Sequence, residues 1–164
     1  MLLRRSATAC ARNISPAIFP AIWQIQFRSN VATPRVTRNM ANITPVFSAA
    51  AFPPAGPYSQ AVRAGSQIYV SGQIPANQTG TLVQGSIADK TEACIKNITA
   101  ILKAAGVGLE SVVKVNVFLT DMANFAEMNA TYAKHFVTKP ARSCVAVKQL
   151  PMGVDVEIEC IALS

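Results

Sequence analysis

Apolar positions between Ile43 and Leu163 change their period several times, and each change marks an element. Thr91, Cys94, Ile95, Ile98, Ile101, Leu102 and Ala105 recur three and four apart, the stripe of an amphipathic helix. Ser86 and Asp89 form a capping box before it, and Gly106 stands where such a helix stops. Asp121 can cap a second helix with Phe125, Met128, Asn129, Tyr132 and Phe136 along one side. Ser111–Leu119 and Val154–Leu163 alternate with period two and predict long strands. Shorter strands are predicted at Ile43–Phe47, Gln60–Arg63, Gln67–Gln73 and Arg142–Val147. Turns are predicted at residues 53–57, 64–66, 75–80 and 151–153, where Gly and Pro cluster. Two helices among six strands predict an α+β domain in which both helices pack on one face of one sheet.

The period of two also sorts the sheet residues. Val113, Val115, Val117 and Leu119, with Val154, Val156, Ile158, Cys160 and Ala162, form uniformly apolar rows expected under the helices. The alternate rows are mixed: Lys114, Asn116 and Phe118; Asp155, Glu157, Glu159 and Ile161; and, by the same alternation, Arg142, Cys144 and Ala146, with Tyr69, Ser71 and Gln73. A face that carries Phe and Ile beside Arg and two Glu is too apolar for water and too polar for a core. A second copy of the chain would cover it, so a homo-oligomer with ionisable groups in its interface is expected.

Composition changes the picture mainly at the N-terminus. The 164 residues are 51% hydrophobic and 14% charged, which excludes a disordered chain and suits one domain. The net charge of +7 is misleading about a nucleic-acid partner. Arg4, Arg5, Arg12, Arg28, Arg35 and Arg38 all precede Met40, and the first acidic residue is Asp89. Beyond Met40 nine basic residues face eight acidic ones, so the body is nearly neutral. Residues 1–40, rich in Arg, Ala and Ser and free of acids, read as a mitochondrial targeting presequence, with cleavage near Phe27-Arg28-Ser29. Pro16 and Pro20 interrupt the best candidate for a secretory apolar core. The alternative is a basic RNA-binding arm. Initiation at Met40 would leave a cytosolic form of the 41–164 domain. Cys10, Cys94, Cys144 and Cys160 show no paired spacing, and with His135 the only histidine no metal site is expected.

Several blocks resemble the RidA/YjgF reactive-intermediate deaminases: Gly56-Pro57-Tyr58-Ser59-Gln60-Ala61, Val70-Ser71-Gly72-Gln73-Ile74-Pro75, Val115-Asn116-Val117-Phe118-Leu119, Met128-Asn129-Ala130-Thr131-Tyr132, Pro140-Ala141-Arg142-Ser143-Cys144-Val145, Leu150-Pro151 and Val156-Glu157-Ile158-Glu159. They fall in family order over essentially all of 41–164. The resemblance implies a single mixed β-sheet of chorismate-mutase-like fold, a homotrimer, and sites in the clefts between subunits. It implies cofactor-free hydrolysis of 2-imino or enamine acids, such as 2-iminobutanoate and 2-iminopropanoate, to 2-oxo acids and ammonia. Those imines escape from pyridoxal-phosphate enzymes such as threonine dehydratase. Their removal would protect such enzymes and support branched-chain amino-acid metabolism in the mitochondrial matrix.

A planar substrate carboxylate calls for a guanidinium fork, and Arg142 fits it. The competing role for Arg142 is an ion pair with Glu157 or Glu159. Glu157 falls where the family's water-holding glutamate lies, and burial would raise its pKa toward the working range. Its other possible role is an interface salt bridge; Glu159 reads as structural. By the resemblance, Tyr58, Ser71, Gly72, Asn129 and the backbone of Cys144 line the substrate. Tyr58 competes with a core role, and Asn129 either braces the site's backbone or touches ligand. No base is placed to make Cys144 a thiolate nucleophile. His135, Trp23 and Met122 receive no role. Two other functions stay open: an RNA-binding protein or endoribonuclease, and a non-enzymatic, chaperone-like ligand binder.

Overall fold

Six strands and two α-helices make up residues 42–164, the part of the chain that the computed structural model describes. The presequence expected over 1–40, its cleavage site and initiation at Met40 lie outside the described residues. The strands are β1 (Ile43–Val46), β2 (Ala61–Ala64), β3 (Gln67–Gln73), β4 (Val112–Leu119), β5 (Ala141–Ala146) and β6 (Val156–Leu163). The helices are α1 (Ile87–Ala104) and α2 (Phe125–His135). They form one sheet in the order β1-β2-β3-β6-β4-β5. Every neighbouring pair is antiparallel except β4 and β5, which run parallel. A parallel pair needs a crossover, and α2 is that crossover, which draws it over the β5 edge.

Local chemistry sets the helix ends. Ser86 Oγ accepts from the Asp89 N–H at 3.2 Å, and the Asp89 carboxylate accepts from the Ser86 N–H at 3.0 Å, the capping box that the sequence predicts. Gly106 leaves α1 with φ of +83°, a left-handed turn that costs glycine little. Asp121 does cap, but it caps a 3-10 turn over Met122–Asn124, accepting from the Ala123 N–H at 2.8 Å. The α-helix itself starts at Phe125.

The α1 stripe packs on the sheet as predicted: Ile95, Ile98, Ile101 and Leu102 meet Ile68, Val115, Val117, Ile158 and Ala162 in one core cluster. Two buried amides brace the loops around it. Gln60 accepts from the Ser48 N–H at 2.7 Å and donates to the carbonyls of Ser48 and Phe52. Asn97 accepts from the Phe52 N–H at 3.2 Å and donates to the carbonyls of Ile74 and Ala76.

Three assignments to sheet faces are corrected. Val113 is 42% exposed, and Val112 takes the core place, because a register shift between Val112 and Lys114 bulges β4 at that point. Asp155 precedes β6, and its carboxylate pairs with Lys90 of α1 rather than joining Glu157 and Glu159. The third correction concerns β5. Arg142 pairs with Val115, Cys144 with Val117 and Ala146 with Leu119, all inward-facing β4 positions. Partners in register share a face, so Arg142, Cys144 and Ala146 lie on the helix side; Ser143 and Val145 take the open side. No described helix is long and apolar enough to cross a membrane.

Candidate active site

Arg142 projects from the β5 edge strand toward α2. Its Nη1 donates to Asn129 Oδ1 at 2.7 Å. The guanidinium carbon lies 4.6 Å from the Tyr132 ring centre and 5.7 Å from that of Phe125. Among the described residues no carboxylate reaches it: Asp155 pairs with Lys90, and Glu92 hydrogen-bonds to His135. The competing role as an intrachain ion pair with Glu157 or Glu159 is therefore not what these residues form. Asn129 braces the Arg142 side chain itself rather than the site's backbone. The cavity in front of this cation, about 390 Å³, is lined by Asn129, Tyr132, Phe136, Val137, Lys139, Pro140 and Arg142. Its wall holds two cations and no acid.

Glu157 projects from the opposite face of the sheet. Val156 and Ile158 on either side of it are fully buried, and alternation turns Glu157 outward into a second cavity of about 260 Å³. Phe52, Tyr58, Ser71, Gly72, Ile74, Pro151 and Met152 share that cavity. A register shift in β3 between Val70 and Gln73 bulges the strand at Ser71 and Gly72. Ser71 is fixed there: its N–H donates to the Gln60 carbonyl at 2.9 Å and its hydroxyl to the Ser59 carbonyl at 2.7 Å. Tyr58 stands exposed at the mouth, its hydroxyl accepting from the Ala55 N–H at 3.1 Å.

Burial pushes the Glu157 carboxyl above the ordinary value, and the Glu159 charge adds to the rise. A carboxyl whose pKa is raised in this way is a stronger base, suited to taking a proton from water and giving it back. Glu159 accepts from Asn116 Nδ2 at 2.7 Å, in keeping with a structural role. Burial also raises the Cys144 thiol, and Arg142 lowers it less. The Cys144 sulfur accordingly lacks thiolate character. Among the described residues no three His, Cys, Asp or Glu side chains gather where a metal ion could be held.

Of the seven expected site residues, Tyr58, Ser71, Gly72 and Glu157 share one cavity. Arg142 and Asn129 share another, with Cys144 beside Arg142 on the same strand face. A single chain does not join the two groups, because they look out from opposite faces. Sequence reasoning missed the aromatic contacts on Arg142; Phe125 and Tyr132 read simply as helix-stripe core residues. It also missed Asn97, although an Asn inside an apolar run was the available signal.

Residues 48–164 match the family profile described as Endoribonuclease L-PSP. The chain is 51% identical over 131 residues to Protein MMF1, mitochondrial, of Saccharomyces cerevisiae, a match spanning 79% of this chain and 90% of the relative. The crystal structure of yeast Mmf1 aligns with a TM-score of 0.73 at 53% identity, over 74% of this chain and 98% of that one. Reactive Intermediate Deaminase A, chloroplastic, of Arabidopsis thaliana is 45% identical over 109 residues, or 65% of this chain and 58% of the relative. The structure of E. coli TdcF with bound serine aligns with a TM-score of 0.71 at 35% identity, over 74% of this chain and 98% of that one.

Proposed function

The chain belongs to the Endoribonuclease L-PSP family, the RidA/YjgF proteins, and from that premise we propose that it is a cofactor-free 2-imino acid deaminase. Its substrates are small imines such as 2-iminobutanoate and 2-iminopropanoate, and its place of work is the mitochondrial matrix. The observation that carries the reading is Arg142: a guanidinium steadied by an amide and two ring faces, fronting a cavity without an acid. A planar carboxylate is the partner that such a fork takes through two parallel hydrogen bonds. The arginine-rich, acid-free leader and the mitochondrial name of the yeast relative support the location.

The two cavities complement each other when they come from different protomers. One copy supplies Arg142, with Asn129 behind it and the Cys144 backbone beside it. The next supplies Glu157, Tyr58, Ser71 and Gly72. The open sheet face offers the contact area: Tyr69 is 44% and Val145 46% exposed, with half-buried Phe118 and Ile161 between them. A closed homotrimer is the assembly proposed.

In such a site Arg142 holds the carboxylate, so the adjacent C=N carbon lies toward the partner's Glu157. Glu157 accepts a proton from a water as the water oxygen bonds to that carbon and the C=N electron pair moves to nitrogen. The same carboxyl then returns the proton to the nitrogen of the carbinolamine. Glu157 next carries the carbinolamine hydroxyl proton to that nitrogen as the C–N bond breaks, so ammonia leaves and the oxygen's electron pair closes the carbonyl of the 2-oxo acid.

The test couples threonine dehydratase to the purified protein. Faster release of 2-oxobutanoate, lost in a correctly assembled Arg142→Ala variant, supports deamination. An unchanged rate of release together with salt-sensitive RNA cleavage would replace this reading by the activity that the family's description names.

A further inference from the structure

Phe125, Asn129 and Tyr132 lie four and three residues apart on α2, so they stack on one strip of the helix. That strip faces Arg142, and all three side chains touch its guanidinium or lie within cation–π range. Asn129 uses one of the five guanidinium N–H groups. The rings use none.

We infer that Phe125 and Tyr132 are positioning residues, an aromatic clamp that aims the Arg142 guanidinium while leaving its hydrogen-bonding fork free for the ligand. This rests on the reading of Arg142 as the carboxylate-binding group. An acidic neighbour would steady the same cation, but it would occupy the donors that the substrate needs. A ring face attracts the charge through its quadrupole and leaves the in-plane N–H groups unspent. Arginine is also a long, flexible side chain, and holding it before the ligand arrives lowers the ordering cost of binding.

The Tyr132 hydroxyl makes the point sharper. Tyr132 is 6% exposed, its ring stacks on Phe136 at 4.4 Å, and its hydroxyl finds no hydrogen-bond partner among the described residues. A buried hydroxyl without a partner destabilises the fold. What Tyr132 contributes to Arg142 is therefore the ring. Burial raises the phenol's pKa more than Arg142 lowers it, so the ring stays neutral and does not become a phenolate that would capture the guanidinium.

The experiment titrates 2-oxobutanoate into the full-length protein and its variants, with melting temperatures measured in parallel. Arg142→Ala abolishes binding. Tyr132→Leu and Phe125→Leu each weaken binding about tenfold. Tyr132→Phe binds within about twofold of the wild type and melts at a higher temperature, since it keeps the ring and removes the unpaired hydroxyl. A ring that merely packs would lower the melting temperature of the Leu variants without changing the affinity of the folded protein, and that result would overturn the inference. Should the Leu variants not fold, nitrogen-15 relaxation of the Arg142 Nε in the wild type decides: order comparable to the backbone supports the clamp, and free side-chain motion overturns it. Wild-type protein that does not bind 2-oxobutanoate, or Arg142→Ala that binds it undiminished, would remove the carboxylate-binding reading and this one with it. Tight binding lost in Arg142→Ala but intact in both Leu variants would remove the clamp alone.

Discussion

Gly72 leaves room for Glu157 and for nothing more. A Cβ built on residue 72 would fall 1.7 Å from Glu157 Oε1, 2.7 Å from Cδ and 3.1 Å from Cγ. Gly72 is needed here for space, at the β3 bulge beside the Glu157 carboxylate. In Gly72→Ala the whole outer half of the Glu157 side chain has to move. Because that end is flexible, the variant folds. Turnover falls about 100-fold, the scale expected when a reacting group is displaced by an ångström. Activity and a melting curve on the same preparation check this, and unchanged turnover would take Glu157 out of its present pose.

The raised Glu157 pKa makes a prediction about stability with a definite sign. The folded state holds this proton more tightly than the unfolded chain, so stability declines as pH rises from the ordinary carboxylate range through the raised value. Glu157→Gln removes that decline. The variant melts higher than the wild type at neutral pH, and the two curves converge at pH values below the ordinary carboxylate range. Turnover is lost at all pH values. Melting temperature against pH for both proteins is the measurement.

Glu159 contributes the second cause of that shift. In Glu159→Gln the Glu157 pKa falls, and the acidic limb of the pH–rate profile moves to lower pH while the plateau rate changes little. Asn116 keeps an amide oxygen to donate to. An acidic limb that does not move would mean that Glu157 is not the group it reports.

Because Arg142 and Glu157 look out from opposite faces of the sheet, the proposed site between protomers is one that two inactive variants can rebuild. Arg142→Ala and Glu157→Gln are each inactive alone. Co-expressed in equal amounts with different tags, they assort at random, and about a quarter of the interfaces regain both groups. The co-expressed population should recover about that fraction of wild-type activity, and isolated mixed trimers about a third. No recovery in verified mixed assemblies would place both groups within one chain's site.

Asn97 tests the frame rather than the chemistry. Its amide serves three backbone groups, at Phe52, Ile74 and Ala76, and two of those residues line the Glu157 cavity. Asn97→Ala unpairs all three, at about 1 kcal/mol each, so a loss of about 3 kcal/mol is expected. Thermal melting should fall by about 10 °C. A fall of less than a few degrees would mean that water replaces the amide.

The α1 stripe from Thr91 to Ala105 and its Ser86–Asp89 box were legible because helical period and capping are local properties, settled by residues three or four apart. The alternation of β6 was legible for the same reason, and it put Glu157 on the correct face. Arg142 was misplaced because the face of a strand depends on its phase against its neighbour. In β5 that phase follows from the parallel pairing of Arg142 with Val115 across the α2 crossover. The bulge that turns Val113 outward and the pairing of Asp155 with Lys90 are likewise long-range facts.

The order of residues by itself determined the two helices, the period of the long strands, the near-neutral body behind a basic N-terminal segment, and which side chains are candidates for chemistry. Tertiary structure alone decided that Arg142 and Glu157 stand on opposite faces and that rings rather than acids surround the guanidinium. Periodicity and capping act within a turn or a pleat, whereas register, bulges and helix-to-strand docking are fixed only when distant segments meet and exclude water together.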